Sequence, residues 1–330
     1  MTKILMTSVR DDEQAAIDAY ANQHKIQIIT SPALLEDVLD QTKAVDGVVI
    51  QQRDPLPATV YPTLRENGLR QITTRTAGYD MIDLDLARQN SLKITNVPAY
   101  SPRSVAEHAL MQIFRVLRKT PEVDRRVAEN DYRWPGLQAK EIHTTTIGII
   151  GVGRIGGTLA TLLHALGAKV LGYDVKPRDE MKEIVEYVDK DTLLENSDVV
   201  SLHVDLNPTS EGLLTKPDFN RMKQGASLIN ASRGPVVNTA DLISALKDGP
   251  LSFAALDTVE GEGEVFNADH RQDGIAFAPL VEELHKLNNV ILTPHIAFFT
   301  NTAVQNMIDT SLDDALAILN GQESPNEIKG

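Results

Sequence analysis

Short apolar and β-branched runs punctuate the first hundred positions, at residues 3–7, 26–30, 47–50, 71–74 and 93–97. Each predicts a strand. Between them, residues 12–22 and 82–89 are compatible with helices. Strands alternating with helices predict a parallel sheet covered on both faces. The pattern then changes. Pro98 and Pro102 bracket a break, and residues 104–119 follow with Val105, Ala109, Leu110, Ile113, Phe114 and Leu117 at three- and four-residue spacing. That periodicity predicts a helix that connects two domains. A second alternating series runs from Thr145 to about His295, with strands predicted at 146–150, 169–173, 198–203, 226–230, 253–257 and 290–292. A last helical pattern at 301–319 is placed to return to the first domain.

This order predicts an α/β protein of two doubly wound parallel-sheet domains. A Rossmann domain at 101–298 would be inserted in a flavodoxin-like domain built from 1–100 and 299–330, with a cleft between them. The chain's 330 residues are enough for two cores of ordinary size. Its net charge of −14 argues against nucleic acid or an anionic membrane as a partner. The absence of cysteine excludes disulfides and thiolate chemistry. No apolar run reaches the length of a membrane span and the N-terminus lacks signal-peptide features, so the expected location is cytoplasmic.

The segment TTTIGIIGVGRIGGTLATLLHALGAKVLGYD, residues 144–174, narrows the chemistry. Gly151-x-Gly153-x-x-Gly156 stands directly after a β-rich run and directly before a helical one. The first glycine permits a tight turn and the second a close approach of backbone to a pyrophosphate. The third permits close helix–strand packing, and the helix start offers N–H groups to phosphate. A second predicted strand then ends in Asp174, where a carboxylate would meet the ribose hydroxyls. A 2′-phosphate would be repelled there, so NAD is the expected cofactor. Lys176 and Arg178 follow closely and would soften that preference.

Three further segments carry candidate reactive groups just past predicted strand ends: NASRG with Arg233, LDTVEGEGE with Asp257 and Glu262, and TPHIAFF with His295. Ligands of doubly wound sheets bind at such ends. Reducing a keto acid needs a cation for the substrate carboxylate, which a guanidinium holds with paired hydrogen bonds. It needs an acid for the forming alkoxide, a task for imidazolium near neutral pH. It also needs a carboxylate to orient that imidazole. Arg233, His295 and Glu262 fit these roles in turn. Taken singly, Arg233 reads as a surface or ion-paired arginine, His295 as a strand-end histidine bonded to backbone, and Glu262 as one solvated charge among Glu260, Glu262 and Glu264. His108, His164 and His203 show no metal-ligand spacing, and no metal is expected. Packing is the expected role of the lone tryptophan, Trp134.

With these residues in place, the sequence resembles the D-isomer-specific 2-hydroxyacid dehydrogenases, particularly the lactate branch from lactic acid bacteria. The resemblance runs along nearly the whole chain, through ITNVPAYSPRSVAEHAL (94–110), GVGRIG (151–156), NASRGPVV (230–237), LDTVEGEGEVFN (256–267) and TPHIAFFTNTAV (293–304). It implies catalysis by Arg233, Glu262 and His295. It implies NAD contacts at Arg154, Ile155 and Asp174, at Val204 and Asp205 on the adenine side, and at Ala231, Ser232, Arg233 and Asp257 nearer the nicotinamide. Thr76, Ala77, Gly78, Tyr100 and Phe298 would face the substrate, and the protein would be a homodimer with 104–119 among its contacts.

The chain departs from the family pattern in three places. His203-Val204-Asp205 stands where relatives read His-Val-Pro, and Arg75-Thr76-Ala77-Gly78 where they read Arg-Asn-Val-Gly. Ile50 stands where lactate-preferring relatives carry a tyrosine. Loss of that aromatic wall predicts a larger pocket and larger keto acids, such as phenylpyruvate or 2-ketoisocaproate. Two alternatives stay open: an NADH-sensing regulatory protein of the same fold, and a related formate- or phosphoglycerate-type dehydrogenase.

Overall fold

A computed structural model describes residues 1–52 and 54–329. The chain divides into two compact units, one formed by 1–101 with 299–330 and the other by 102–298.

The first unit holds a five-stranded parallel sheet: β1 Lys3–Met6, β2 Gln27–Thr30, β3 Gly47–Ile50, β4 Gln71–Thr74 and β5 Lys93–Thr95. Their order is β2-β1-β3-β4-β5, the flavodoxin-like winding. Parallel strands covered on both faces read as continuous apolar runs rather than alternating ones. That is why all four residues of β3 are buried. One face packs Leu5, Val48, Ile50, Tyr61, Leu64 and Ile72 together. On another, Ile4, Met6 and Val49 meet Ile17 and Tyr20. The C-terminal helix Asn301–Leu319 completes this second cluster with Ile308, Leu312 and Ala315. The last stretch of chain is therefore integral to the first unit.

The second unit holds a seven-stranded parallel sheet: β6 Thr146–Ile150, β7 Lys169–Tyr173, β8 Glu186–Tyr187, β9 Val199–Leu202, β10 Ala226–Asn230, β11 Leu251–Leu256 and β12 Val290–Leu292. Their order is β12-β11-β10-β9-β6-β7-β8. The winding reverses between β6 and β9, which makes their carboxyl ends the place where a dinucleotide is held. Clusters centred on Leu202, Leu228 and Leu256, and on Ile147, Leu159 and Ile229, form its two hydrophobic cores.

Candidate active site

The glycine turn shows three different uses of a missing side chain. Gly151 follows β6 with φ +91, and a Cβ there would strike the carbonyl of His203. The turn is thus pressed against the end of β9. At Gly156 a Cβ would overlap the carbonyl of Gly151, so this glycine sets how closely the helix Arg154–Ala165 approaches the strand. At Gly153 a Cβ would meet nothing within 4 Å, and no side chain caps the helix that starts beside it. This open backbone at a helix start suits a pyrophosphate. Asp174 lies just past β7 and accepts from the N–H of Val152 (2.7 Å) and of Lys176 (2.8 Å). The acid therefore ties the β7 end to the glycine turn, where ribose hydroxyls would bond it. Those features fit NAD.

The expectation that Arg178 softens the preference for NAD meets a correction. Its guanidinium donates to Gly153 O (3.0 Å) and to Glu180 Oε1 (2.8 Å), so it braces the glycine loop and is already paired. Arg154 and Ile155 open the helix. Val204 flanks the Gly151 turn, and Asp205 is exposed. His203 turns inward: Nε2 lies 2.9 Å from Ser201 Oγ, and Nδ1 is sealed from solvent. Burial lowers its pKa to about 4, so the ring is neutral at physiological pH.

Arg233 and Glu262 sit on loops fastened to each other. Asn230, the last residue of β10, donates from Nδ2 to Arg233 O (3.1 Å) and to Thr258 O (3.4 Å). Its Oδ1 accepts from the N–H and hydroxyl of Ser232, which is buried. Gly234 lies so close to the backbone of Val259 and Glu260 that any side chain would collide with it. Among the described residues, the guanidinium of Arg233 spends only Nη1, on Ser232 O (2.8 Å). Its Nε–Nη2 edge is left for a carboxylate. Ala231, between Asn230 and Ser232, is half-buried.

His295 and Glu262 form a pair. Nδ1 of His295 lies 2.5 Å from Glu262 Oε1, with the side chains 27% and 18% exposed. The other oxygen of Glu262 accepts from the N–H of Val259 (2.8 Å), which fixes the carboxylate. With Nδ1 engaged, Nε2 is the nitrogen left for a substrate. Phe298 sets its ring edge-on to the imidazole, with centroids 6.5 Å apart. His295 itself has φ +56, a conformation that costs a non-glycine residue about 1–3 kcal/mol and persists only where surroundings enforce it. The enforcer is Asp257, 2% exposed. It accepts from Thr293 Oγ1 (2.6 Å), Ile296 N (3.0 Å) and Ala297 N (2.9 Å), and its backbone carbonyl accepts from His295 N (2.9 Å). Nothing in the sequence spacing singled out Asn230, Gly234 or Thr293 for these tasks.

In the first unit, Thr76 Oγ1 bonds Thr74 Oγ1 (2.7 Å) and Gly78 O (2.6 Å), and Ala77 O accepts from Asn96 Nδ2 (2.6 Å). No acceptor takes the N–H of Ala77 or Gly78 among the described residues, so the turn presents donors. Tyr100 is anchored through its carbonyl to Asn306 Nδ2 (2.7 Å). Ile50 requires a correction. It is fully buried in the core beside Leu5 and Ile72, so it forms no pocket wall and gives no reason for larger substrates. Trp134, in the second unit, is a third correction, 86% exposed rather than packed.

Three glycines, an acid past the second strand, an imidazole–carboxylate pair, and a guanidinium on a loop fastened to the one that carries the carboxylate define a nucleotide-linked oxidoreductase. Residues 110–297 match the family model described as D-isomer specific 2-hydroxyacid dehydrogenase, NAD binding domain. The chain belongs to that family, and NAD is its cofactor. It is 39% identical to a D-lactate dehydrogenase of Staphylococcus aureus over 323 residues, 97% of each chain. It is 50% identical to the solved D-lactate dehydrogenase from Sporolactobacillus sp, with a TM-score of 0.87 over 99% of both chains. The solved D-lactate dehydrogenase with NAD+ from Lactobacillus jensenii is 37% identical, with a TM-score of 0.91 over the whole of each chain.

Proposed function

We propose that the chain reduces pyruvate, or a closely related 2-keto acid, to the D-2-hydroxy acid, with Arg233, Glu262 and His295 as its catalytic residues. The observation that carries this reading is the His295–Glu262 pair, which leaves Nε2 as the proton donor at a strand end of the NAD-binding unit. The Nε–Nη2 edge of Arg233 binds the substrate carboxylate with two parallel hydrogen bonds. NADH, held by the Gly151–Gly156 turn and Asp174, would supply the hydride for the carbonyl carbon. His295 gives its Nε2 proton to the carbonyl oxygen, and Glu262 holds the ring and offsets its charge. The unit built from 1–101 and 299–330 is the substrate domain, where the donors of Ala77 and Gly78, with Tyr100, contribute to binding.

We further infer a cytoplasmic homodimer. Support comes from the helix Thr120–Ala128, which buries none of its own residues. Its own Val127 is exposed, as are Tyr132 and Trp134 just after it and Met111 on the preceding helix Pro102–Leu117. A second copy covering this surface would remove it from water.

The test is NADH oxidation by the purified protein over a panel of 2-keto acids, with chiral analysis of the products. Turnover of pyruvate to D-lactate is the expected result. NADH binding without turnover of any 2-keto acid would favour a regulatory sensor, and an L-product would overturn the stereochemical assignment.

A further inference from the structure

A line of polar side chains on the helix Pro102–Leu117 has no part in the chemistry above. Ser104, His108 and Gln112 recur every fourth residue, so they share one face of that helix. Ser104 and Gln112 are buried, and the side chain of His108 is only 11% exposed. Ser104 Oγ donates to Ala297 O (2.8 Å). His108 Nε2 lies 3.2 Å from Thr293 Oγ1 and 3.6 Å from Asp257 Oδ1. The helix thus grips the segment carrying His295 at both ends, through Thr293 and Ala297.

Counting protons identifies which form of His108 fits. Thr293 has one hydroxyl proton, and its 2.6 Å contact with Asp257 Oδ1 takes it. Towards His108, therefore, Thr293 presents lone pairs, as does the carboxylate. A bare Nε2 would confront two acceptors, so the proton belongs on Nε2. Gln112 Nε2 lies 3.2 Å from the same nitrogen. Its Oε1 accepts from Arg115 Nη1 (3.2 Å), so this amide adds no acceptor for the imidazole, whose proton goes to Thr293. Burial pulls the His108 pKa below its ordinary value; Asp257 opposes the shift, and Arg115 adds to it. That direction favours the neutral ring.

We propose that His108 is a positioning residue for His295: its Nε2–H, relayed through the Thr293 hydroxyl, fixes Asp257 against the N–H groups of Ile296 and Ala297 and keeps His295 in its left-handed conformation. The proposal rests on the reading of His295 as the proton donor. A histidine that merely packed its helix would leave the loop, and hence the rate, unchanged when replaced.

His108→Leu should lower kcat by about 10- to 100-fold, the scale of a misplaced catalytic group, and alter the pH–rate profile. NADH affinity by fluorescence titration should stay near wild type. His108→Gln carries an amide donor that can serve Thr293 and should recover most of the rate. Thr293→Val cuts the relay from the other side, and combining it with His108→Leu should deepen the loss no further. A wild-type kcat and pH–rate profile in His108→Leu would overturn the proposal, as would a loss that His108→Gln leaves unrepaired. If His108→Leu fails to fold, Thr293→Val and His108→Gln decide alone: a rate loss in the first with near-normal rate in the second supports the relay, and any other pairing overturns it. His295→Gln separates the two readings. Full turnover there would remove the proton donor itself, whereas loss there with none in His108→Leu removes only the relay.

Discussion

Replacing His295 with glutamine should lower kcat for 2-keto-acid reduction by roughly a hundred- to ten-thousand-fold, the range ascribed to a positioned general acid. Glutamine fills similar space, and its amide can still bond the carboxylate of Glu262. It cannot surrender a proton to the oxygen as hydride arrives. Gly153, Gly156 and Asp174 lie on other segments of the unit, so NADH binding should remain close to wild type. Steady-state kinetics with a parallel fluorescence titration separates these effects. A kcat near that of the wild type would take His295 out of the reaction.

The second large effect falls on stability, in the first unit. Arg75 is fully buried and donates from Nε to Glu13 Oε1 (3.1 Å), a carboxylate that is itself fully buried. The same guanidinium donates to the backbone carbonyls of Thr7 (3.1 Å) and Ser8 (3.2 Å), joining the ends of β1 and β4. Burial disfavours its charge, and Glu13 counters that. Glu13→Ala would strand the cation in the core, at a cost of about 3–5 kcal/mol. The double variant Glu13→Ala/Arg75→Met removes both charges and should regain part of the loss. Urea unfolding of the cofactor-free protein measures each. A loss within about 1 kcal/mol for Glu13→Ala, typical of exposed pairs, would contradict this account.

Much of the fold was legible because parallel strands buried on both sides advertise themselves. The strands at Gln71–Thr74, Thr146–Ile150, Lys169–Tyr173, Ala226–Asn230 and Val290–Leu292 occupy the residues their apolar runs predicted, as does the helix Asn301–Leu319. Short helices such as Lys190–Asn196 and Lys216–Arg221 escaped prediction. They span barely two turns, too few to establish a period, and rely on caps from Asp189 and from the Thr215–Asp218 box. Lys93–Thr95 is shorter than its apolar run because the backbone N–H of Asn96 donates to Asn326 O, outside the sheet.

The candidate site was legible where chemistry and chain position coincide. Gly151, Asp174, Arg233, Glu262 and His295 each combine a telling residue type with a place at or a few residues past a strand end. Ile50 misled for a related reason. Side chains alternate across a sheet, so the last residue of a buried strand can face the covering helices as readily as a crevice. The supports of the site were hidden by distance along the chain. Thr293 lies 185 residues from His108 and 36 from Asp257, and no local pattern ties them together. Asn230 looked like the end of a strand until its amide was seen to hold two loops.

The central claim is that Glu262 serves the reaction through His295. A double-mutant cycle on kcat with Glu262→Gln and His295→Gln tests this most directly. Glu262→Gln alone should slow the enzyme, and in the His295→Gln background the same change should cost nothing more. Equal losses in both backgrounds would show that the two side chains act separately, contrary to the mechanism proposed here.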